Sequence, residues 1–193
     1  QAFIEKYHRN GYSNQVVTAY FYLEKGQTDG YNAVSLEART EYYDLPYPEP
    51  ALFYEGEAMK IIECTGMEKA ETQEMSPFGR DWSGGSQLIF KAQRDNYVKL
   101  YINIPETAVY DLSAVFTKAG DFGIAYHYLD GEPLGKGVDL YNNGVIRSPE
   151  TKLGEGLSLP QGLHVLEVRI PEKNGRSSGY FYGLDYFRLT KVG

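Results

Sequence analysis

Three carboxylates occur at positions where they could meet and hold a cation. Glu55 and Glu57 lie in EGEAMKI, just ahead of a predicted strand, and Asp185 lies in GLDYFRL, within the last predicted strand. The first and last strands of an antiparallel sandwich are often neighbours. Glu57 and Asp185 are therefore candidate ligands of a hard cation such as calcium, which prefers carboxylate oxygens. The same spacing fits ordinary solvated carboxylates at strand edges.

A second group combines aromatic rings with carboxylate, amide and guanidinium groups, mostly in segments rich in glycine and asparagine. Sugars stack their apolar ring faces on aromatic side chains while polar groups bind their hydroxyls, and such residues collect on the loops of a rigid sandwich. The candidate carbohydrate-binding residues are Asp81, Trp82, Asp121, Tyr126, Tyr128, Asp139, Tyr141, Asn174 and Arg176. Tyr126 and Tyr128 alternate within a predicted strand, so they are equally candidates for a core face.

Trp82 is the only tryptophan in a chain that has 18 tyrosines, and it lies in GRDWSGGSQLIF, between Asp81 and a Ser-Gly-Gly turn. A large aromatic residue in a polar, glycine-rich loop either closes the end of a core or offers a flat surface for stacking. The sequence leaves both alternatives open.

Composition excludes several classes of protein. The net charge of −7 and the single, scattered basic residues argue against nucleic-acid binding. No apolar run approaches the roughly 18 residues of a membrane span. The three histidines, His8, His127 and His164, are far apart and have no cysteine partners, which argues against zinc.

Short alternating or apolar runs between turn signals predict an all-β protein, and their spacing is typical of a β-sandwich. Helical periodicity is nearly absent. Strands are predicted at about 14–24, 58–64, 87–93, 97–104, 108–117, 122–129, 163–170 and 180–190.

The proline-rich segment 44–57, DLPYPEPALFYEGE, predicts an extended connector and a domain boundary, giving domains 1–53 and 54–193. The first domain has one clear strand and a segment, SLEARTEYY, that predicts a helical turn or two. A single strand cannot bury both its faces. We therefore expect missing upstream strands or another subunit to complete it. The chain lacks an initiator methionine, so we expect it to be processed or cut out of a longer protein.

The region from Glu57 to Leu189 resembles the accessory β-sandwich that follows the catalytic domain in bacterial members of glycoside hydrolase family 172, the DUF2961 proteins. The segments that carry the resemblance are WSGGSQLIFKA, YDLSAVFTKAGDFGIAYHYLDGEPLG, VDLYNNGV, LPQGLHVLEVRI and SSGYFYGLDYFRL. More distantly, it resembles the galactose-binding-like sandwiches of carbohydrate-binding modules, in several of which an early Glu and a late Asp hold calcium. FIEKYHRNGYSNQVVTAYFYLEKG is similar to the closing strands of the same family's catalytic jelly roll.

The resemblance implies a parent enzyme that acts on fructofuranose or arabinofuranose linkages through two carboxylates. Glu5 matches a motif of the catalytic domain and is a candidate for one of these acids, or is an ordinary solvent-facing residue. Most of the jelly roll lies outside this sequence, so the chain is predicted to be a non-catalytic carbohydrate-binding or assembly module.

The alternatives are a competent glycosidase, completed by upstream residues or other chains, and a purely structural oligomerisation module. The expected partners are an oligo- or polysaccharide and an upstream catalytic domain or identical subunits, in a secreted or periplasmic protein.

Overall fold

The computed structural model describes residues 3–7, 15–25, 31–41, 51–66 and 69–192, among which there is no α-helix. The predicted all-β class is confirmed by these strands. The chain divides into two compact units, Gln1–Leu52 and Phe53–Gly193. No helix among the described residues is long and apolar enough to cross a membrane.

The first unit contains a three-stranded sheet of β1 (Phe3–Tyr7), β2 (Gln15–Lys25) and β3 (Tyr31–Glu41), in the order β1-β2-β3. Both pairs are antiparallel, and Glu5 lies opposite Val17. The helical turn predicted for SLEARTEYY is wrong, because its first seven residues belong to β3. That strand pairs with β2 from Val16 to Lys25, and the backbone hydrogen bonds of this long ladder override the helix-forming residues of the segment.

The described residues of the second unit form twelve strands and two single-turn 3₁₀ helices, Gly56–Ala58 and Ser83–Gly85. The strands are β4 (Leu52–Glu55), β5 (Ile61–Cys64), β6 (Glu71–Glu74), β7 (Ser86–Phe90), β8 (Asn96–Ile104), β9 (Ala108–Lys118), β10 (Ile124–Leu129), β11 (Glu132–Asp139), β12 (Ile146–Arg147), β13 (Thr151–Leu159), β14 (Gly162–Glu172) and β15 (Tyr182–Lys191).

These strands form two sheets. One has the order β11-β10-β14-β8-β5, and the other has the order β12-β9-β15-β7-β6, with β13 also paired to β9 and β4 paired to β15. Residues 52–55 were expected to lie in an extended connector, but they form β4. The prolines of that segment end at Pro50, so the backbone donors that follow are free to pair.

Aromatic and aliphatic side chains fill the space between the two sheets. The His127 ring on β10 lies 5.2 Å from that of Phe116 on β9 and 6.1 Å from that of Phe187 on β15, so the inner faces of the two sheets are in contact. Phe116, Phe187, Leu100, Val98 and other inward residues are fully buried. The sandwich predicted from the strand spacing is therefore present.

Candidate functional site

Asp185 is buried beneath the turn that contains Trp82. It lies on β15, the neighbour of β4, and its side chain is completely inaccessible to solvent. The backbone N–H of Ser83 donates to its Oδ1 at 2.8 Å, and Arg147 Nε donates to its Oδ2 at 2.6 Å. Burial raises the pKa of Asp185 to about 6, although these two donors act in the opposite direction.

Glu55 and Glu57 lie at the end of β4 and in the following 3₁₀ turn, near Asp185. Ser83 Oγ donates to Glu55 Oε1 at 2.7 Å. The Oε2 atoms of both glutamates are buried and have no hydrogen-bond partner. Burial raises the pKa of Glu57, and the charges of Glu55 and Asp185 raise it further, against the effect of its own backbone N–H. Three carboxylates thus share this region with one guanidinium.

The carboxylates meet some requirements of a calcium site. Their oxygens are the donors that calcium prefers, and Glu55 and Glu57 each have one buried, unpartnered oxygen. Across the described part of the chain, however, no three His, Cys, Asp or Glu side chains come together as a ligand set. A cation held here would need backbone or water oxygens in addition to the carboxylates.

The Trp82 indole faces the interior. It is 5% exposed, and its Nε1 donates to Thr117 Oγ1 at 2.8 Å. The turn over it has left-handed backbone at Gly84 and Gly85, with φ of 61° and 73°, which explains the glycine pair in the sequence. A ring in this position closes the core and offers no free face for stacking. Asp81, next to it, is exposed.

Several of the other predicted residues lie together at one end of the sandwich, where the β9–β10, β11–β12 and β14–β15 connections meet. Asp139 joins two of these connections: its Oδ1 accepts from the Tyr141 backbone N–H at 2.9 Å, and its Oδ2 accepts from Asn174 Nδ2 at 2.7 Å. Asn174 Oδ1 in turn accepts from the Arg176 N–H at 3.0 Å. We call Asp121, Asp139, Tyr141, Asn174 and Arg176 the loop cluster.

Backbone hydrogen bonds tie the third connection to the other two. The Asp121 carbonyl accepts from Phe181 N–H at 3.0 Å, and the Ala119 N–H donates to the Leu140 carbonyl at 3.1 Å. Asp121 and Tyr141 are partly exposed and Arg176 is exposed. The cluster therefore presents a carboxylate, a phenol and a guanidinium from connections that are fixed in place.

Tyr126 and Tyr128 lie on β10 with their side chains on the outer face of the five-stranded sheet, whereas Ala125, His127 and Leu129 are buried on the inner face. Tyr126 donates to Glu172 Oε1 at 2.5 Å, close to the loop cluster. A Cβ at Gly137 would lie 2.6 Å from the Tyr126 ring, so the glycine makes room for it. The Arg169 guanidinium lies 4.7 Å from the Tyr128 ring centroid.

Sequence reasoning missed Arg147 and Ser83 as partners of the carboxylates. Arg147 lies in the two-residue strand β12, and such a short strand carries no periodic signal that would place it beside Asp185. It also missed the tyrosines of β8 as candidate binding residues, although the alternation in YVKLY predicts that Tyr97 and Tyr101 lie on the face opposite Val98 and Leu100. Glu5 belongs to β1, and its side chain lies outside the described part of the structure.

No family model matches the chain, and no curated protein matches it. Among solved structures, it is similar to Paenibacillus xanthan lyase, with a TM-score of 0.65 and 27% identity, over 77% of this chain and 14% of the lyase. A β-(1,4)-mannanase of Podospora anserina with GH26 and CBM35 parts matches with a TM-score of 0.48 and 15% identity, over 74% and 28%.

The CBM36-1 domain of a multidomain xylanase, from the hindgut metagenome of Trinervitermes trinervoides, matches with a TM-score of 0.48 and 14% identity, over 74% of this chain and 98% of that domain. The chain corresponds to only 14% of the length of the xanthan lyase described above. These neighbours do not test the resemblance to glycoside hydrolase family 172, which stays a prediction.

Proposed function

We propose that the sandwich formed by residues 53–193 binds carbohydrate through the loop cluster, as a non-catalytic module of a larger carbohydrate-active enzyme. The observation that carries the proposal is the double hydrogen bond of Asp139, which accepts from the Tyr141 backbone N–H at 2.9 Å and from Asn174 Nδ2 at 2.7 Å and so holds the two connections together. Polar and aromatic groups fixed in this way lose little conformational entropy when a ligand binds.

The chemistry of the cluster suits a sugar. Asp121 supplies carboxylate oxygens that accept from hydroxyls, Arg176 supplies donors, and the partly exposed Tyr141 ring supplies an apolar surface. Asp139 and Asn174 have their polar atoms engaged with each other and with the backbone, so they act as positioning residues.

The parent enzyme in this proposal is a secreted or periplasmic bacterial glycoside hydrolase that acts on fructofuranosides or arabinofuranosides. This part rests on the sequence resemblance alone. The similar region of xanthan lyase supports a place within a large polysaccharide-degrading protein, and it points to no particular sugar for this chain.

Affinity electrophoresis tests the proposal, with levan, arabinan and xylan as the probes in native gels. We expect at least one of them to retard the protein, and Arg176→Ala and Tyr141→Ala to reduce the retardation. Lys191→Ala is the matched control, because Lys191 lies at the opposite end of the sandwich and pairs with Glu106 at 3.1 Å. Equal retardation of the Arg176→Ala variant and the control would remove the loop cluster from the binding site.

Catalysis is the second candidate function, with Glu5 as one acid and the rest of the active site supplied by upstream residues or other chains. Hydrolysis of an aryl arabinofuranoside, lost in Glu5→Gln, would support it. Absence of turnover at high protein concentration would leave binding or assembly as the role of this chain.

We also propose that Glu57 and Asp185 hold a structural calcium ion, supported by the unpartnered Oε2 of Glu57 and by the burial of Asp185. The ion would neutralise charge that Arg147 alone does not balance. Thermal unfolding with and without a chelator tests this. We expect a lower Tm with chelator in the wild type and no such difference in Glu57→Gln. Identical wild-type melting curves would rule out a structural ion.

A further inference from the structure

The outer face of the five-stranded sheet carries tyrosines that do not belong to the loop cluster. Tyr97 and Tyr101 lie on β8 and Tyr128 lies on β10, and all three are partly exposed. Because side chains alternate along a strand, Val98 and Leu100 are buried while the tyrosines point outward. We call Tyr97, Tyr101 and Tyr128, together with the cations beside them, the tyrosine face.

A cation lies over each of the three rings. The Arg169 guanidinium is 4.7 Å from the Tyr128 centroid, Lys99 Nζ is 5.0 Å from that of Tyr97, and Lys60 Nζ is 5.6 Å from that of Tyr101. The contacts restrain the rings without burying them, which reduces the ordering cost of binding a ligand there.

Two of the three cations of the face, Lys99 and Arg169, are paired with carboxylates. Lys99 Nζ lies 3.0 Å from Glu63 Oε2, Arg169 Nε pairs with Glu167, and Tyr97 donates to Glu63 Oε1 at 2.5 Å. Glu167 is largely buried and lies two residues before Arg169 on β14, so its carboxylate restrains the guanidinium on the outer face. An anionic ligand would have to compete with these carboxylates for Lys99 and Arg169, whereas an uncharged ligand would leave both pairs intact.

We propose that the tyrosine face is a second glycan-binding surface, which takes an internal segment of an uncharged polysaccharide. The face crosses β10, β14 and β8, where Tyr128 lies opposite Glu167 and Glu167 lies opposite Lys99. It is bounded by strands rather than by loops, so a chain can extend past it at both ends. The rings contact the apolar faces of the sugars, and the fixed ion pairs offer donors and acceptors to the hydroxyls.

This surface differs from the loop cluster in its residues and in its ligand. It binds long, neutral polysaccharide chains, and this binding does not require the loop cluster to bind sugar. The two proposals can therefore fail separately.

The test is affinity electrophoresis of the full chain in gels that contain arabinan, levan or mixed-linkage β-glucan as neutral probes and polygalacturonate as the acidic probe. We expect retardation by at least one neutral polymer and none by polygalacturonate. The double variant Tyr97→Ala, Tyr128→Ala should bind that polymer at least about fivefold more weakly, as loss of a binding hot spot does. Tyr97→Phe, Tyr128→Phe keeps both rings and should bind like the wild type.

Phe78→Ala removes an exposed aromatic residue outside this sheet and serves as the control, because Phe78 is 46% exposed in the β6–β7 connection. Three results would overturn the proposal. The double alanine variant could keep the wild-type Tm and bind as strongly as the wild type, polygalacturonate could retard the protein in place of the neutral polymers, or no neutral gel could retard it. A concentration-dependent dimer that the same variant abolishes, detected by sedimentation, would assign the face to a second copy of the chain and overturn it too. Weak binding by Arg176→Ala, with the tyrosine variants unaffected, would support the loop cluster alone.

Discussion

The indole Nε1 of Trp82 donates a hydrogen bond to the buried Thr117 Oγ1 at 2.8 Å. Thr117 Oγ1 in turn donates to Gln87 Oε1, and Gln87 Nε2 donates to Gln73 Oε1 at 2.7 Å. These hydrogen bonds join the Trp82 ring to polar side chains of β9, β7 and β6 in the larger sheet. The only tryptophan of the chain therefore closes the core beside the carboxylates of Glu55 and Asp185 instead of facing solvent.

Trp82→Ala should destabilise the sandwich by about 3–5 kcal/mol, because it leaves a cavity and removes a hydrogen bond. Trp82→Phe retains an aromatic ring but leaves the Thr117 hydroxyl without the donor whose hydrogen bond it accepts, so we expect a loss of about 1–2 kcal/mol. Urea unfolding monitored by circular dichroism measures both. Phe78→Ala, which replaces an exposed ring, should change the unfolding free energy by less than about 0.5 kcal/mol. Equal losses at positions 78 and 82 would contradict a buried indole.

Alternation predicted the strands that form the centre of each sheet in the second unit. YVKLYINI became most of β8 and LHVLEVRI most of β14, because each has an inner face that is buried against the opposite sheet. The prediction failed for β11 and β13, whose sequences EPLGKGVD and TKLGEGLSL contain glycines and few apolar residues. Both lie at the margin of their sheets, where pairing needs little burial.

The candidate residues were harder to place than the strands. Glu57 and Asp185 share a region, but not for the reason expected from the sequence: the predicted first strand, at 58–64, contains β5, which pairs with β8 in the other sheet, and it is β4, predicted as a connector, that pairs with β15. The donation from Arg147 to Asp185 spans 38 positions and comes from a two-residue strand, and no local pattern encodes it. Burial of Trp82 likewise depends on packing that its glycine-rich surroundings do not reveal.

Arg147→Met should destabilise the protein at neutral pH by leaving the carboxylate of Asp185 with only the Ser83 N–H as a donor. Removing one partner of a buried ion pair costs roughly 3–5 kcal/mol, and we expect about 2 kcal/mol because the Arg147 side chain is 28% exposed. A double-mutant cycle with Asp185→Asn, followed by urea unfolding, separates the pair from its surroundings. The loss caused by Arg147→Met should shrink in the Asp185→Asn background; an equal loss in both would mean that the pair contributes nothing.

His127 should make the fold sensitive to acid. It is buried among Phe116, Tyr182 and Phe187, and burial lowers its pKa to about 3, from about 6.5 in the unfolded chain. The neutral ring contributes stability that is fully present above pH 6.5 and is lost as the pH falls through the folded-state pKa. Wild-type unfolding free energy should therefore decline by up to about 1.4 kcal/mol per pH unit between pH 6 and 4 from this group.

The variant His127→Leu isolates that contribution. Its unfolding free energy at neutral pH will differ from that of the wild type because the packing changes, so the comparison is between the two slopes against pH. We expect a shallower slope for the variant between pH 6 and 4. Parallel curves would show that His127 is not what makes the fold acid-sensitive.

His164 should have the opposite dependence. Burial tends to lower its pKa, but hydrogen bonds to the Pro160 carbonyl at 2.8 Å and to Asp130 Oδ2 at 2.5 Å outweigh burial and raise it. Because both ring nitrogens face acceptors, the protonated ring satisfies both contacts. The resulting stability is fully present below the unfolded-state pKa of about 6.5 and is lost as the pH rises through the folded-state value. Wild-type Tm, compared with that of His164→Gln, should therefore show a larger advantage at pH 5.5 than at pH 8.5. Calorimetry at the two pH values measures this difference in Tm, with Gln161→Ala as a control for the adjoining turn. A difference in Tm between wild type and His164→Gln that grows at high pH would contradict a charged His164 in the folded protein.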